Sequence, residues 1–196
     1  MLSIVMLTVQ QKKALEITHI AGTIIIFLLT LYYAITNGPT EGIWLHDALS
    51  RYFALIIGII YLLAGIFSIR YLLPEYLHGK LNFVKLQRYY ALLHAFAGTM
   101  LVSVTLNNLG LAWVAIELTT LSSALLVGFY NTKPSLEAAW KYIFLCSVGI
   151  AIALFGIIMT FYATENVLGT ELAALNWTNL LQNAKLLDPL KMRYST

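Results

Sequence analysis

The stretch "ALIIGIIYLLAGIFSI", residues 54–69, holds no charged residue and shows no alternation of polar and apolar positions. With the apolar residues beside it, the run reaches the roughly 20 residues that an α-helix needs to cross the hydrocarbon layer of a membrane. The run "IAGTIIIFLLTLYYAI", residues 20–35, has the same character. A membrane-spanning β-barrel would instead show segments of roughly 10 residues with alternating polarity. The sequence therefore predicts an all-α, polytopic bundle of transmembrane helices.

The composition agrees with a membrane protein and narrows its chemistry. Of the 196 residues, 60% are hydrophobic and 11% are charged, against about a quarter charged in a soluble domain. The net charge of +3 is small, so we expect the basic residues to set membrane topology and not to bind nucleic acid. The single cysteine, Cys146, has no partner for an internal disulfide or a metal site, and we expect an inert, packed thiol.

The chain is expected to cross the membrane about five times. Residues 1–16 form an N-terminal segment that is too short to span, and residues 164–196 form an amphipathic tail that is too polar to span. Within this tail, "LAALNWTNLLQNAKLL", residues 172–187, predicts an interfacial helix. The transmembrane bundle covers residues 17–163, with spans at about 17–35, 52–73, 89–107, 109–129 and 138–163.

The basic residues predict the orientation of the bundle. They fall in segments that lie on one side of the membrane when the chain crosses five times, and the positive-inside rule makes that side cytoplasmic. We therefore expect a multi-pass protein of the cell inner membrane, with a cytoplasmic N-terminus and an extracytoplasmic C-terminal tail. The residues that carry this bias are Lys12, Lys13, Arg70, Lys80, Lys85, Arg88 and Lys133.

Glu117 is the first candidate functional residue, because it lies inside the fourth predicted span. Eight residues of helix place it roughly 12 Å from the start of that span, near the middle of the bilayer. An acidic side chain there costs about 2.5 to 3.5 kcal/mol, and it is usually protonated, paired or beside internal water. A protonated side chain that only joins two helices is the alternative. The nearby hydroxyl residues could hold water or simply pack: Thr119, Thr120, Ser122 and Ser123.

Lys141 and His94 are the other candidates for proton transfer. Lys141 follows Glu137 by four residues, so it could instead be a snorkelling lysine in an interfacial salt bridge. The expected depths of Glu117 and Lys141 differ by roughly 12 Å, so a third polar group or water would have to connect them. His94 has the chemistry of such a relay, although a packing role is the alternative. These residues form a hypothetical proton pathway.

The remaining chemistry-bearing residues do not converge in the sequence. His19, His46 and His78 are expected in or near different loops or span ends, which predicts no metal site. There is no glycine-rich phosphate loop, no pair of cysteines and no Ser-His-Asp arrangement. We therefore expect no cofactor in this chain and no catalytic site of its own.

Four segments between residues 44 and 163 are specific enough to compare with known families: "WLHDALSRYF" at 44–53, "SIRYLLPEYLHGKL" at 68–81, "YYALLHAFAGTM" at 89–100, and "NNLGLAWVAIELTTLSSALLVGFYNTKPSLEAAWKYIFLCSVGIA" at 107–151. Through these segments, residues 44–163 resemble the antiporter-like membrane subunits shared by respiratory complex I, multisubunit sodium/proton antiporters and group 4 nickel-iron hydrogenases. Among these subunits, the likeness is greatest to the hydrogenase-4 component F type.

The resemblance implies a helix bundle that moves protons across the membrane, driven by a redox reaction in other subunits. The family's carboxylate, lysine and histidine correspond to Glu117, Lys141 and His94. Partner membrane subunits are implied, with iron-sulfur clusters and nickel-iron or flavin carried by partner subunits. Whether such a chain counts as an enzyme is open, since it would be the non-redox membrane subunit of an oxidoreductase complex.

The resemblance also implies a longer protein of about fourteen spans with inverted repeats. Near the end of the chain, "LLDP", residues 186–189, resembles the lead-in to the family's first broken helix with a lysine. The lysine partner of Glu117 would then lie beyond residue 196. Two alternatives stay open at this point. One is a redox-independent cation/proton antiporter module, and the other is a structural or assembly subunit completed by a partner chain.

Overall fold

The structure is a computed structural model that describes residues 2–9, 11–36, 38, 42–79, 81–168 and 172–184. These residues form helices and no strand, which confirms the all-α prediction. Within the described residues, the α-helices are α1 (Leu2–Thr8), α2 (Lys12–Ile35), α3 (Ala48–Leu77), α4 (Phe83–Thr105), α5 (Leu109–Val127), α6 (Lys133–Leu168) and α7 (Trp177–Gln182), with a 3-10 turn at Leu172–Leu175.

Four helices in the described part of the chain are long and apolar enough to cross a membrane: α2, α3, α5 and the Lys133–Thr164 part of α6. The protein is therefore a multi-pass membrane protein. The remaining long helix, α4, has 23 residues but is not among the four, although a span was predicted there. It carries Gln87, Arg88 and His94, and it packs against α1, α2, α3 and α5. A helix surrounded by other helices need not be apolar all round.

At one end of the bundle, α1 packs onto the neighbouring helices. Met6 from α1 is fully buried against Leu15, Leu72 and Leu86. Leu15 lies near the start of α2, Leu72 near the end of α3 and Leu86 near the start of α4. These three helices therefore run alternately up and down, as short connections predict.

The contact between α2 and α3 depends on small residues. A Cβ atom added to Gly58 of α3 would lie 2.1 Å from Oγ1 of Thr30, and one added to Gly65 would lie 2.6 Å from Cγ2 of Thr23. Both glycines and both threonines are seven residues apart, which is the spacing of one helix face over two turns. The two backbones therefore approach closely along this seam, as small residues permit in membranes.

The helices α5 and α6 complete the bundle, and α6 lies at its periphery. The indole Nε1 of Trp113 donates to the carbonyl oxygen of Ile150 at 2.9 Å, and Ser123 Oγ lies 2.9 Å from the hydroxyl of Tyr142. The two helices are thus antiparallel. Beyond α5, the main contact of α6 is with the 3-10 turn, and no residue of its most apolar stretch is buried.

We call the end where α1 lies the basic end. Helices α2, α4 and α6 begin there, and each carries cations in its first turns: Lys12, Lys13, Lys85, Arg88 and Lys133. Lys80, which also contributed to the predicted bias, lies outside the described residues. At the opposite end, Arg51 is the basic residue near the start of α3. The basic residues therefore gather at one end of the described bundle.

The opposite end is tied together by what we call the asparagine junction, formed by Gly42, Asn107, Asn108, Asn176 and Thr178. The side-chain Nδ2 of Asn107 donates to the carbonyl oxygen of Gly42 and to Thr178 Oγ1, both at 3.0 Å. Asn108 donates to Oδ1 of Asn176 at 3.0 Å. The junction joins the loop before α3, the α4–α5 turn and the segment after α6.

The interfacial helix predicted at residues 172–187 is not continuous. In the structure, its described part is divided at Asn176 into the 3-10 turn and the short helix α7. The break occurs because the backbone of Asn176 is extended and its side chain is hydrogen-bonded within the asparagine junction. Residues 185–187 of the prediction lie outside the described residues. The preceding helix, α6, continues to Leu168, past the predicted span end at 163.

Candidate functional site

Glu117 lies in the middle of α5, where its surroundings differ from those of its sequence neighbours. Ile116 and Leu118 are 48% and 51% exposed, whereas Glu117 is half-buried. Its Oε2 atom is buried and has no hydrogen-bond partner within the described residues. An ionised oxygen in such a place loses its hydration without compensation, which costs more than the 1 to 3 kcal/mol of a neutral buried group. Glu117 is therefore a carboxyl group that needs a proton, a cation or water.

The hydroxyl residues around Glu117 mostly bond to their own helix. Thr119 donates to the carbonyl of Ala115 at 2.9 Å, and Thr120 and Ser122 likewise bond to carbonyls one turn back. Ser123 donates to Thr120 O at 2.9 Å. Such bonds satisfy the hydroxyl hydrogens without a ligand. In the structure, these hydroxyl groups thus donate to the backbone of their own helix. Their oxygen atoms can still accept hydrogen bonds from groups around α5.

Lys141 lies on the outer face of α6 and binds Glu137. Its Nζ is 2.5 Å from Glu137 Oε1, and the two side chains are 75% and 65% exposed. The contacts of Trp113 with Ile150 and of Ser123 with Tyr142 fix how α5 lies along α6. Lys141 is therefore about two helical turns, or roughly 10 Å, from the level of Glu117. The structure does not bring these two residues into direct contact.

His94 lies in a different part of the bundle from Glu117 and Lys141. It is 3% exposed in α4, and the hydrogen bonds of its ring go to α3 and α2. Its Nδ1 atom bonds with the hydroxyl of Tyr61, and its Nε2 atom lies 3.1 Å from Nδ1 of His19. The predicted group of Glu117, Lys141 and His94 is therefore split among three places in this chain.

The placement predicted for His19 is wrong. It was expected near a loop or span end, but the structure buries it completely inside the bundle. The reason is that α2 begins at Lys12, about five residues before the predicted span. This places His19 two turns inside the helix. Its position between apolar residues in "ALEITHIAGT", residues 14–23, was the signal for burial.

A further polar cluster lies at the basic end, where Tyr130, just after the end of α5, meets the last turns of α3. The hydroxyl of Tyr130 donates to Glu75, whose Oε2 is 3.0 Å away, and lies 3.0 Å from the hydroxyl of Tyr71. Burial, followed by the hydrogen bonds with Tyr71 and Glu75, raises the pKa of Tyr130. Across the described residues, no group of three or more histidine, cysteine or acidic side chains could hold a metal ion.

A family described as "NADH:quinone oxidoreductase/Mrp antiporter, TM" matches residues 106–188. The matched range contains Glu117, Glu137 and Lys141 and ends before the last residues of the chain. His19 and His94 lie outside it. The family match thus covers the segment that carries Glu117.

Three curated relatives extend this comparison. The chain is 39% identical over 162 residues to a hydrogenase-4 component F homolog from Methylacidiphilum infernorum, which covers 83% of this chain and 34% of that protein. It is 34% identical over 119 residues to F(420)H(2) dehydrogenase subunit N from Methanosarcina mazei, covering 60% and 22% respectively. It is 28% identical over 136 residues to NADH-quinone oxidoreductase subunit N from Deinococcus radiodurans, covering 69% and 25%.

The chain spans about a third or less of the length of these relatives. Within that length, the family match, the three relatives and the helical membrane fold agree. Residues 106–188 therefore match the membrane family of NADH:quinone oxidoreductases and Mrp antiporters, and the chain as a whole is similar to membrane subunits of the hydrogenase-4 component F and subunit N types.

Proposed function

We propose that the protein acts as a proton-translocating membrane subunit, or part of one, in a redox-driven complex of the NADH/quinone oxidoreductase or membrane-bound hydrogenase type. The observation that carries the proposal is the buried Oε2 of Glu117, which has no partner among the described residues and lies in the family-matched range. A carboxyl group in this position can hold a proton and release it when its surroundings change.

To bind and release a proton in turn, Glu117 needs two alternating environments, one that favours the protonated carboxyl group and one that favours the carboxylate. Burial away from water favours the neutral form of a carboxyl group, and a cation close by favours the carboxylate. Lys141 is the nearest candidate cation on α6, but its ammonium is held by Glu137 at 2.5 Å. A gap of roughly 10 Å along the helices leaves room for bridging water or for a polar group from another segment. Release of Lys141 from Glu137 would then change the charge near Glu117.

The exposed surface of α6 supports the proposal that the chain has partner subunits within the membrane. Its outer face exposes large apolar side chains beside Lys141, and Leu145 is 83% exposed. We infer that lipid and other membrane segments cover this face. Partner subunits would carry the iron-sulfur clusters and nickel-iron or flavin groups that supply the redox energy.

The orientation is also proposed. The cations at the starts of α2, α4 and α6 support a cytoplasmic basic end under the positive-inside rule. The asparagine junction and α7 would then face the extracytoplasmic side of the cell inner membrane. Protons would reach Glu117 from the basic end.

A cation/proton antiporter without redox chemistry is the second candidate, because the matched family includes Mrp antiporters. The test uses the native complex, purified in mild detergent and placed in lipid vesicles with a pH-sensitive dye inside. Proton movement that starts only when an electron donor and acceptor are added supports the redox-driven proposal. Sodium-driven proton movement without a donor supports the antiporter instead, and no proton movement under either condition contradicts both.

Replacing Lys141 with glutamine should slow proton movement without unfolding the bundle. The exposed pair with Glu137 is worth at most about 1 kcal/mol to stability, so assembly should be unchanged. Loss of this charge should slow proton movement by about tenfold, which is less than the roughly 100-fold or more expected of a group that transfers the proton in direct contact, because Lys141 does not touch Glu117. Lys133→Gln, at the start of the same helix, is the matched control in the vesicle assay. Equal rates for the two variants would remove Lys141 from the proposed pathway.

A further inference from the structure

A pair of histidines lies in a polar cluster apart from Glu117. His19 from α2 and His94 from α4 are 0% and 3% exposed, and their rings meet edge-to-face with centroids 5.1 Å apart. The cluster also includes Tyr61 and Ser68 from α3. Two buried imidazoles in contact need an explanation, because burying a polar group is costly unless its hydrogen bonds are complete.

The hydrogen bonds define which ring nitrogens carry protons. His19 Nε2 is 3.1 Å from the carbonyl of Gly65, which can only accept, so this nitrogen donates. In the neutral ring, Nδ1 of His19 must then accept, and His94 Nε2 donates to it at 3.1 Å. Nδ1 of His94 in turn accepts from the hydroxyl of Tyr61. Both rings are thus fully bonded when both are neutral.

The same cluster can take up one proton without losing a bond. A proton that binds Nδ1 of His94 forms a new N–H bond, which donates to the oxygen of Tyr61. The Tyr61 hydroxyl keeps its hydrogen and turns it toward Thr23, with which it also interacts. Thr23 Oγ1 can accept, because its own hydrogen goes to the carbonyl of His19 at 2.8 Å. One proton enters and no bond is left open.

The groups around His19 and His94 favour the addition of one proton to the neutral pair and oppose the addition of a second. The ring of His19 stacks on Tyr90 with centroids 4.1 Å apart, which can stabilise a cation. Tyr61 and Tyr90 are the titratable groups that α3 and α4 turn toward the rings, and α1 carries none. On α2, Glu16 lies one turn before His19 and pairs with Lys12 at 3.7 Å. Two positive rings in direct contact would repel each other without a carboxylate between them.

We propose that His19 and His94 form a single proton-binding unit that holds one proton shared across their hydrogen bond. The unit lies between α2, α3 and α4, outside the range matched by the family. It is distinct from the Glu117 site, and its proton binding does not depend on the function proposed for Glu117. In a protein that moves protons, such a unit would hold a proton inside the bundle, about two helical turns or more from the basic end.

The test is solid-state NMR of the native complex in lipid vesicles, with ¹⁵N-labelled histidine, from about pH 8 to about pH 4. Difference spectra against His19→Gln and His94→Gln assign the two rings, and His78→Gln, at the exposed C-terminal end of α3, is the control. We expect both rings to begin neutral with the proton on Nε2. On acidification, both should change at one common pH, with a single new proton on Nδ1 of His94 or shared with His19.

Two rings that titrate at different pH values, or that each gain a proton, would overturn the proposal. So would neutral rings with the proton on Nδ1, or rings that take up no proton. If one of the two variants fails to assemble, the other still identifies the pair, because removing either ring changes the titration of the histidine that remains. Loss of proton transport by the complex would bear on Glu117 and would leave this result unchanged.

Discussion

Glu117→Gln should abolish the proton movement that is coupled to electron transfer, lowering it by at least about 100-fold as expected when an essential proton carrier is removed. Glutamine has nearly the shape of glutamic acid, so the packing of α5 should be retained. It cannot release a proton, however, and the buried Oε2 position would become a permanent amide group. The measurement is the initial rate of internal pH change in vesicles that hold the native complex.

Two further variants make this result specific. Glu75→Gln removes a carboxyl group near the basic end that belongs to the Tyr130 cluster, and it should leave coupled proton movement intact. Glu117→Asp keeps a titratable group one methylene shorter and should recover part of the rate. If Glu117→Gln pumps at the wild-type rate while assembling normally, Glu117 is not a proton carrier and the proposed function falls.

Gly58→Leu should prevent α2 and α3 from packing and should remove most of the folded protein. Even a single added Cβ would lie 2.1 Å from Thr30 Oγ1, and threonine has little freedom to turn away because its side chain is branched at Cβ. Its hydroxyl is also bonded to the carbonyl of Phe27 at 2.8 Å. Forcing one extra group into such a contact costs about 1 to 3 kcal/mol, and leucine adds several.

The measurement is the amount and the thermal unfolding midpoint of the protein extracted in mild detergent. Gly98→Leu is the matched control, because a Cβ at Gly98 of α4 meets nothing within 4 Å. Thr30→Ala should restore part of the stability in a milder Gly58→Ala background, since it removes the nearest atom. Equal midpoints for Gly58→Leu and Gly98→Leu would show that the close approach of α2 and α3 is unimportant.

The sequence predicted the helices well wherever lipid-facing surface dominates their composition. Both α3 and α6 are apolar nearly throughout, so their existence followed from length and hydropathy. The helix α4 is less apolar because its neighbours are other helices of the protein. The mean hydropathy of a sequence window cannot distinguish a membrane helix that is surrounded by protein from a helix that does not cross the membrane. Helix ends were less predictable, since helices continue past the hydrocarbon layer, as α2 does at Lys12.

The candidate site was predictable in part. Glu117 stood out because an isolated carboxyl group in an apolar run has few physical explanations. The pairing of His94 with His19 could not be predicted, because the two lie 75 residues apart and only the packing of α2 on α4 joins them. Lys141 and Glu137 interact within one helix, so their four-residue spacing was sufficient to predict the contact.

The asparagine junction has a consequence for the order in which the protein is made. Its hydrogen bonds join residues 65 to 134 positions apart, as between Asn107 and Gly42, between Asn107 and Thr178, or between Asn176 and Gly42. During synthesis, Asn107 meets Gly42 as soon as α4 is inserted, but Thr178 and Asn176 arrive only after all of α6. The hydrogen bonds of the α4–α5 turn therefore stay incomplete until residue 178 has been synthesised, so this junction closes only after α6 has been made.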